Sequence, residues 1–199
     1  EIVETQFDEP IIVPAGTDRI LVTVKKIEDF YNPESAQVFI AGTAEDTGNS
    51  WYEGCEGNGS LTITPELTIP VPNANFYINV TGEVFDTQSS GSVTRLSHHV
   101  CDEIVETGIH SCSSSYIYWA RDFYLDDFGI STNEEFVISS GQVGINKVGW
   151  LPEIRFNIYA IDDDFPNSFS ETNLIGSSQY QELSPTIGEN SKVIEVVFD

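Results

Sequence analysis

The chain has 199 residues, of which 32 are acidic and 8 are Lys or Arg, and its formal net charge at pH 7 is -24. Hydrophobic residues make up 40% and aromatic residues 12%, which is ample for a packed core and argues against a disordered chain. Because such an acidic surface repels phosphate backbones and anionic lipid, we expect no nucleic acid partner. No apolar run approaches the roughly 20 residues of a membrane helix, so we expect no membrane insertion.

Residues 1–14 have the pattern of an extended arm. Pro10 interrupts the pattern, and Pro14, Ala15 and Gly16 close it. An arm of this kind pairs within its own chain, frays, or adds as a strand to the sheet of a neighbouring copy. The arm residues that would make this contact are Val3, Thr5, Phe7, Ile11 and Val13.

Residues 15–199 have the pattern of one all-β domain. Apolar and polar residues alternate in short runs, such as 19–25, 36–41 and 154–160. Turn residues separate about eleven such runs, and no long helical period occurs among them. The sequence therefore predicts an antiparallel β-sandwich or jelly roll as a single domain.

Acidic residues follow the predicted strand at 154–160. Asp162, Asp163 and Asp164 are consecutive, and Asn167 and Glu171 add further oxygen atoms in the polar loop that follows. Adjacent carboxylates repel one another, so a fold that gathers them either leaves them solvated or supplies a cation. Because oxygen ligands favour a hard ion, the sequence predicts a Ca²⁺ site here, with a solvated acidic loop as the alternative.

A second predicted strand, 116–125, ends in the same way at Asp126 and Asp127. If the two strands share an edge of the sandwich, their acidic ends would also share a cation. These two aspartates are therefore candidate ligands of the same Ca²⁺.

The segment around the first acidic cluster resembles the third calcium loop of C2-type β-sandwiches. The shared features are a β-strand, Asp162-x-Asp164 at its end, Glu171 in a polar loop, and then Leu174, Ile175 and Gly176. Ala160 and Asn173 stand where that family has its first and last Asp. The resemblance implies calcium binding by a loop at one end of a sandwich.

Three cysteines admit two interpretations. Cys101 and Cys112 enclose ten residues, and a disulfide between them would tie off this excursion, leaving Cys55 free, buried or paired between chains. Alternatively, His99-x-Cys101 and His110-x-Cys112 would each place both side chains on one face of a strand, and a hairpin would bring the four together as a zinc site.

Surface features favour an extracellular, secreted protein. Asn58 and Asn79 begin Asn-x-Ser/Thr sequons, and Asn79 is predicted to point outward from its strand, as a glycan acceptor should.

A polar stretch at 42–59 is predicted to be a long loop, in which Trp51 and Tyr52 would form a platform for stacking on glycans. Alternatively, these two aromatic residues pin the loop to the sandwich.

No catalytic motif of a known kind is present, and the many acids carry no spacing information, so we expect no enzyme. The sequence favours a secreted, calcium-binding structural protein that assembles with copies of itself into a filament or tube. The alternative is a calcium-dependent carbohydrate-binding or adhesive module.

In size, acidity, β content and its N-terminal arm, the chain resembles the calcium-dependent glycoprotein subunits of the hollow extracellular cannulae of some hyperthermophilic archaea. The resemblance implies a tubular polymer, calcium at subunit contacts and exchange of arms between neighbours. The 8 Lys and Arg residues are few for the ion-pair networks of hyperthermophile proteins, whereas the absence of Met agrees with avoidance of thermolabile residues.

Overall fold

The computed structural model describes residues 3–7, 9–26, 38–43, 47–52, 75–85, 91–100, 104–110, 117–149, 152–183 and 192–198. Within these ranges the regular structure is almost entirely β, in two sheets whose strands are mostly antiparallel. The predicted all-β sandwich is therefore confirmed. No helix in the described ranges is long and apolar enough to cross a membrane.

The strands alternate with short turns, as the sequence pattern predicts. In chain order they are β1 (Val3–Phe7), β2 (Ile11–Val13), β3 (Arg19–Lys26), β4 (Val38–Thr43), β5 (Ser50–Tyr52), β6 (Asn75–Phe76), β7 (Ile78–Phe85), β8 (Ser92–Leu96), β9 (Ile104–His110), β10 (Ile117–Tyr124), β11 (Glu135–Val148), β12 (Glu153–Ala160), β13 (Leu174–Ser177), β14 (Gln181–Glu182) and β15 (Lys192–Phe198). Two 3-10 helices, Leu125–Phe128 and Glu171–Asn173, follow β10 and precede β13.

The six-stranded sheet has the order β13-β12-β3-β10-β5, and β14 also pairs with β12. β3 is central and pairs antiparallel with β10 on one side and with β12 on the other. β10 and β12 therefore run in the same direction, and both end beside the start of β3, where Arg19 lies.

The nine-stranded sheet is built around β11. Its N-terminal half pairs with β2 and β7, and its C-terminal half pairs with β15 and β4. β8 extends the sheet from β7, β6 and β9 pair with β4, and β1 pairs with β15 in parallel. The two arm strands, β1 and β2, thus lie in the sheet of their own chain in this structure.

The main core lies between the two sheets. β3 contributes Ile20, Val22 and Val24, and β12 contributes Phe156 and Ile158, all of them fully buried. Burial of one such side chain contributes about 1.5–3 kcal/mol, so this layer supplies most of the stabilisation of the sandwich.

β11 is one continuous strand, whereas its sequence predicts two, at 136–139 and 143–148. The intervening residues contain Gly141, which is a weak strand former. A Cβ atom at Gly141 would lie 3.0 Å from the ring of Phe156, so glycine allows β11 to pass close to the opposite sheet. The predicted break is therefore a site of close packing between the sheets.

A second, smaller apolar cluster lies on the outer face of the six-stranded sheet. Residues 161–173 fold back over this face and place Ile161, Phe165 and Phe169 on the strand residues. The strand residues beneath them are Leu21, Trp51, Ala120 and Tyr159. The loop that carries the predicted calcium ligands is thus held against the sheet by its own apolar residues.

Candidate functional site

The two acidic strand ends lie at the same edge of the six-stranded sheet, one on each side of β3. Tyr124, near the end of β10, pairs with Arg19, and Ala160, at the end of β12, pairs with Ile20. The aspartates that follow each strand therefore flank the start of β3. From the sequence, a shared cation is expected only if the two strands end at the same edge of the sandwich. The structure meets this condition.

The cation that the structure places between the two strand ends is the guanidinium of Arg19. Its Nη2 lies 2.5 Å from Oδ2 of Asp122 on β10, and its Nη1 donates to the carbonyl of Asp162 at 3.1 Å. Arg19 and Asp122 are 6% and 5% exposed, so the ion pair is buried. Aromatic rings cover it, with Arg19 Cζ 4.3 Å from the centroid of Tyr124 and 5.6 Å from that of Phe165.

Trp51 completes this network, and its predicted position in a long loop is wrong. It lies in β5, which pairs with β10, and its side chain is 6% exposed. The indole Nε1 donates to Oδ1 of Asp122 at 2.7 Å, and the ring packs edge-on against Phe165 with centroids 4.7 Å apart. Because the ring is buried, Trp51 offers no face for a glycan. The alternative interpretation, an aromatic pin, describes it better.

Tyr52, the neighbour of Trp51, is partly buried and packs against the main core between the sheets. Burial raises the pKa of its phenol. Strand alternation places these two aromatic side chains on opposite faces of β5, so they do not form one stacking platform.

The acidic loop is organised by hydrogen bonds within itself. Oδ1 of Asp162 accepts from the backbone N–H of Asp164 at 3.0 Å and from the hydroxyl of Ser168. Oδ1 of Asp164 accepts from Nδ2 of Asn167 at 3.3 Å. Two of the predicted calcium ligands therefore each use one carboxylate oxygen to shape the turn, and each has a second oxygen that these bonds do not use.

The aspartates of the second strand end lie in the 3-10 helix Leu125–Phe128, and both are exposed. Gly129 ends this helix with φ 76°, a left-handed conformation that glycine adopts without strain, and its N–H donates to the carbonyl of Asp126. Asp126 and Asp127 are thus held in a turn at the surface.

The predicted calcium ligands do not form a closed cage. Asp162, Asp163, Asp164, Asn167 and Glu171 are exposed, as are the two aspartates after β10. In the part of the chain that the structure describes, no three His, Cys, Asp or Glu side chains converge as metal ligands. The donor chemistry suits Ca²⁺, and the described residues supply it as exposed carboxylates at the surface.

Glu171 has a different contact from the one predicted. Its Oε1 accepts from the hydroxyl of Tyr118 at 3.3 Å, which ties the 3-10 helix Glu171–Asn173 to β10. It also lies near Tyr159, which is 4% exposed. The pKa of Tyr159 is raised to about 12, mainly by burial, with a smaller contribution from Glu171 and an opposing one from Arg155.

Asn79 does not point outward, and this prediction is wrong. It is 0% exposed, and neither Oδ1 nor Nδ2 has a hydrogen-bond partner among the described residues. Two residues earlier in the chain, Tyr77 is also buried, and His99 stacks on it with ring centroids 4.1 Å apart. In this conformation Nδ2 has no room for a glycan.

The remaining sequence predictions fall partly outside the described residues. Cys55, Asn58, Cys101 and Cys112 are not described, so the disulfide, the zinc alternative and the other sequon stay predictions. His110 lies in β9, opposite Phe39 of β4.

Sequence reasoning missed Arg19 and Asp122, which hold the acidic edge together. A signal was present, since Arg121 and Asp122 interrupt an otherwise apolar and aromatic strand, IYWARDFY, and both are buried. A charge in such a run is buried only when it is paired. The pattern could not identify Arg19 as the partner, because 103 residues separate the two in the chain.

The chain was compared with protein families, curated proteins and solved structures. No family model, no curated protein and no solved structure matches the chain. The resemblances to C2-type loops and to cannula subunits therefore stay predictions from the sequence.

Proposed function

We propose that the protein is a secreted, calcium-binding structural subunit that assembles with copies of itself into an extracellular polymer by exchange of its N-terminal strand. The observation that carries this proposal is the position of β1. Its one pairing partner among the described strands is β15, and it lies at the end of its sheet. The link to β2 passes through Glu9 and Pro10, and both are exposed.

A strand in this position can be exchanged at low cost. If β1 leaves, the edge of β15 becomes free, and β1 of another copy can make the same backbone hydrogen bonds. β2 stays in place because Ile11 and Val13 are buried in the core. When each copy donates to the next, the contact is head-to-tail and repeats without closing, which produces a filament or a tube.

Calcium supplies the second part of the proposal. Subunits with a charge of -24 repel one another at the short distances that assembly requires, where screening by salt is incomplete. The exposed carboxylates of Asp162, Asp163 and Asp164 are available to a divalent ion that bridges two copies. Calcium would then both permit and control assembly.

Deletion of residues 1–9 tests the strand exchange. We expect the truncated protein to fold, because β2 and the core are intact, and to remain monomeric in calcium by light scattering. A peptide of residues 1–9, added to the full chain, should shorten the polymers by occupying free β15 edges. Polymers of unchanged length from the truncated protein would disprove the exchange.

The calcium contribution is tested by the double substitution Asp162→Asn and Asp164→Asn. We expect the calcium concentration at half-assembly to rise at least about tenfold, since two ligands of a hard cation lose their charge. Glu83→Gln with Glu135→Gln is the matched control, because it removes two exposed carboxylates from the other sheet. An equal effect of both variants would show charge repulsion alone and no site at this loop.

A further inference from the structure

A second surface with binding chemistry lies at the other end of the six-stranded sheet, where β14 pairs with β12. Glu153 pairs with Glu182, and Ile154 pairs with Gln181. The same register continued by one residue places Tyr180 beside Arg155. Because alternate residues share a face, Glu153, Arg155, Tyr180 and Glu182 lie together on the outer face of the sheet. We call these four residues the β12–β14 patch.

The centre of the patch is an exposed aromatic ring. Tyr180 is 44% exposed, and Cζ of Arg155 lies 4.8 Å from its ring centroid. The guanidinium covers one face of the ring, so the remaining exposure belongs to the opposite face and the edge. A rigid ring that is held on one face and open on the other is suited to stacking on an apolar surface of a ligand.

The charged groups around the ring are not paired with one another. In the described part of the chain the one ion pair is that of Arg19 with Asp122, so Arg155, Glu153 and Glu182 have none there. Nε of Arg155 is also buried without an acceptor among these residues. In a chain with four acids for every base, it is unexpected that none of the described acids pairs with Arg155.

Like charges also face one another across the strands. Glu153 lies directly opposite Glu182, and Arg155 lies directly opposite Lys25 of β3. Such pairs destabilise a sheet. Two acids and two bases therefore lie close together here, and Glu171, which contacts Tyr118 beside Lys25, adds a third acid nearby, so the surface presents charges of both signs.

We propose that the β12–β14 patch binds a neutral oligosaccharide. A sugar ring stacks its apolar C–H face on Tyr180, its hydroxyl groups accept hydrogen bonds from Arg155, and they donate to the carboxylates of Glu153 and Glu182. A charged ligand would meet a like charge on this surface, whereas a hydroxyl group serves as both donor and acceptor. The ligand that fits is therefore polyhydroxylated and uncharged.

This inference is independent of the proposed assembly, because it requires neither β1 nor calcium. It also relocates the glycan contact that the sequence predicted at Trp51. The ring that performs the stacking is Tyr180, on the outside of the sheet, and not the buried indole.

Isothermal titration with defined hexasaccharides tests the proposal. The neutral probes are cellohexaose and mannohexaose, and the anionic probe is hexagalacturonate. We expect a neutral probe to bind the full chain, and we expect Tyr180→Ala and Arg155→Ala each to weaken this binding at least about tenfold. Binding should persist in a calcium chelator and in the variant without residues 1–9.

Tyr124→Ala is the matched control. Tyr124 is 43% exposed and also stacks with an arginine, but its neighbours Asp126 and Asp127 make its surroundings acidic. We expect this variant to bind the neutral probe as the unmodified chain does. The proposal would be overturned if no neutral probe bound at millimolar concentration, if only hexagalacturonate bound, or if Tyr180→Ala bound unchanged.

Discussion

The six-stranded sheet carries an arginine stacked on a tyrosine at each end, and the two pairs differ in their surroundings. Tyr124 and Tyr180 are exposed to nearly the same extent, 43% and 44%. Arg19 is buried and bound by Asp122 and by the carbonyl of Asp162. Arg155 is half-buried and has no ion pair in the described part of the chain.

Identical side-chain pairs thus take different roles according to which of their polar groups already have partners. At the Arg19 end the donors and acceptors bind one another, and the result is a rigid support for the acidic loop. At the Arg155 end they are open, and the result is a surface that suits a ligand. Substitutions at the first end should therefore affect stability, and those at the second end should affect binding.

The largest effect is expected from Arg19→Met, which keeps the apolar stem and removes the charge. Asp122 would remain buried without a cation, and loss of one partner of a buried pair costs about 3–5 kcal/mol. Urea denaturation should show this fall in the free energy of unfolding. A loss below about 1 kcal/mol would mean that water reaches Asp122 and that the network is not closed.

A smaller effect is expected from Trp51→Phe. The apolar contact with Phe165 is partly kept, but Oδ1 of Asp122 loses its donor, and an unsatisfied buried acceptor costs about 1–3 kcal/mol. A double-mutant cycle with Asp122→Ala measures the pair, and we expect a coupling energy of at least about 0.5 kcal/mol. Additive effects of the two substitutions would refute the hydrogen bond from Trp51.

Tyr159 lies on the six-stranded sheet between the Arg19 end and the Arg155 end. The pH dependence of stability reports on this residue. The unfolded chain releases the phenolic proton near pH 10, whereas the folded chain holds it until about pH 12. The folded state thus binds more protons in this window, and its stability, complete below pH 10, falls as the pH rises to about 12.

Tyr159→Phe should remove the contribution of this phenol to the fall in stability at alkaline pH. Glu171→Gln should reduce that contribution, because Glu171 adds to the effect of burial on the pKa of Tyr159. Absorbance of the phenolate during alkaline titration follows the proton directly. An alkaline stability profile that Tyr159→Phe leaves unchanged would be inconsistent with this assignment.

The smallest effect on stability is expected from Arg155→Gln. Because this side chain makes no ion pair in the described part of the chain, the free energy of unfolding should change by no more than about 0.5 kcal/mol. This change should be compared with the fall in the free energy of unfolding that Arg19→Met causes under the same urea conditions. Equal losses from the two substitutions would remove the distinction between the two ends.

The sequence predicts the sandwich because buried strand faces leave a period of two. Alternating runs such as 19–25 and 154–160 are observed as β3 and β12. This pattern reports one buried face, but it does not report what covers the other. The pattern therefore predicts that Asn79 faces solvent, although its side chain is fully buried.

The candidate sites were only partly predictable for a similar reason. The aspartates after β10 and β12 are recognisable because they follow strands directly, and their common edge depends only on both strands pairing with β3. Trp51 was misplaced because its strand has three residues within a polar stretch. The β12–β14 patch depends on a register between two strands, which composition does not specify.

Electron microscopy of the purified chain tests whether copies assemble by strand exchange with calcium between them. Samples would be taken first in a calcium chelator and then in millimolar calcium. We expect monomers in the chelator and ordered filaments or tubes in calcium. Monomers in both conditions, or the same polymers in both, would contradict this expectation.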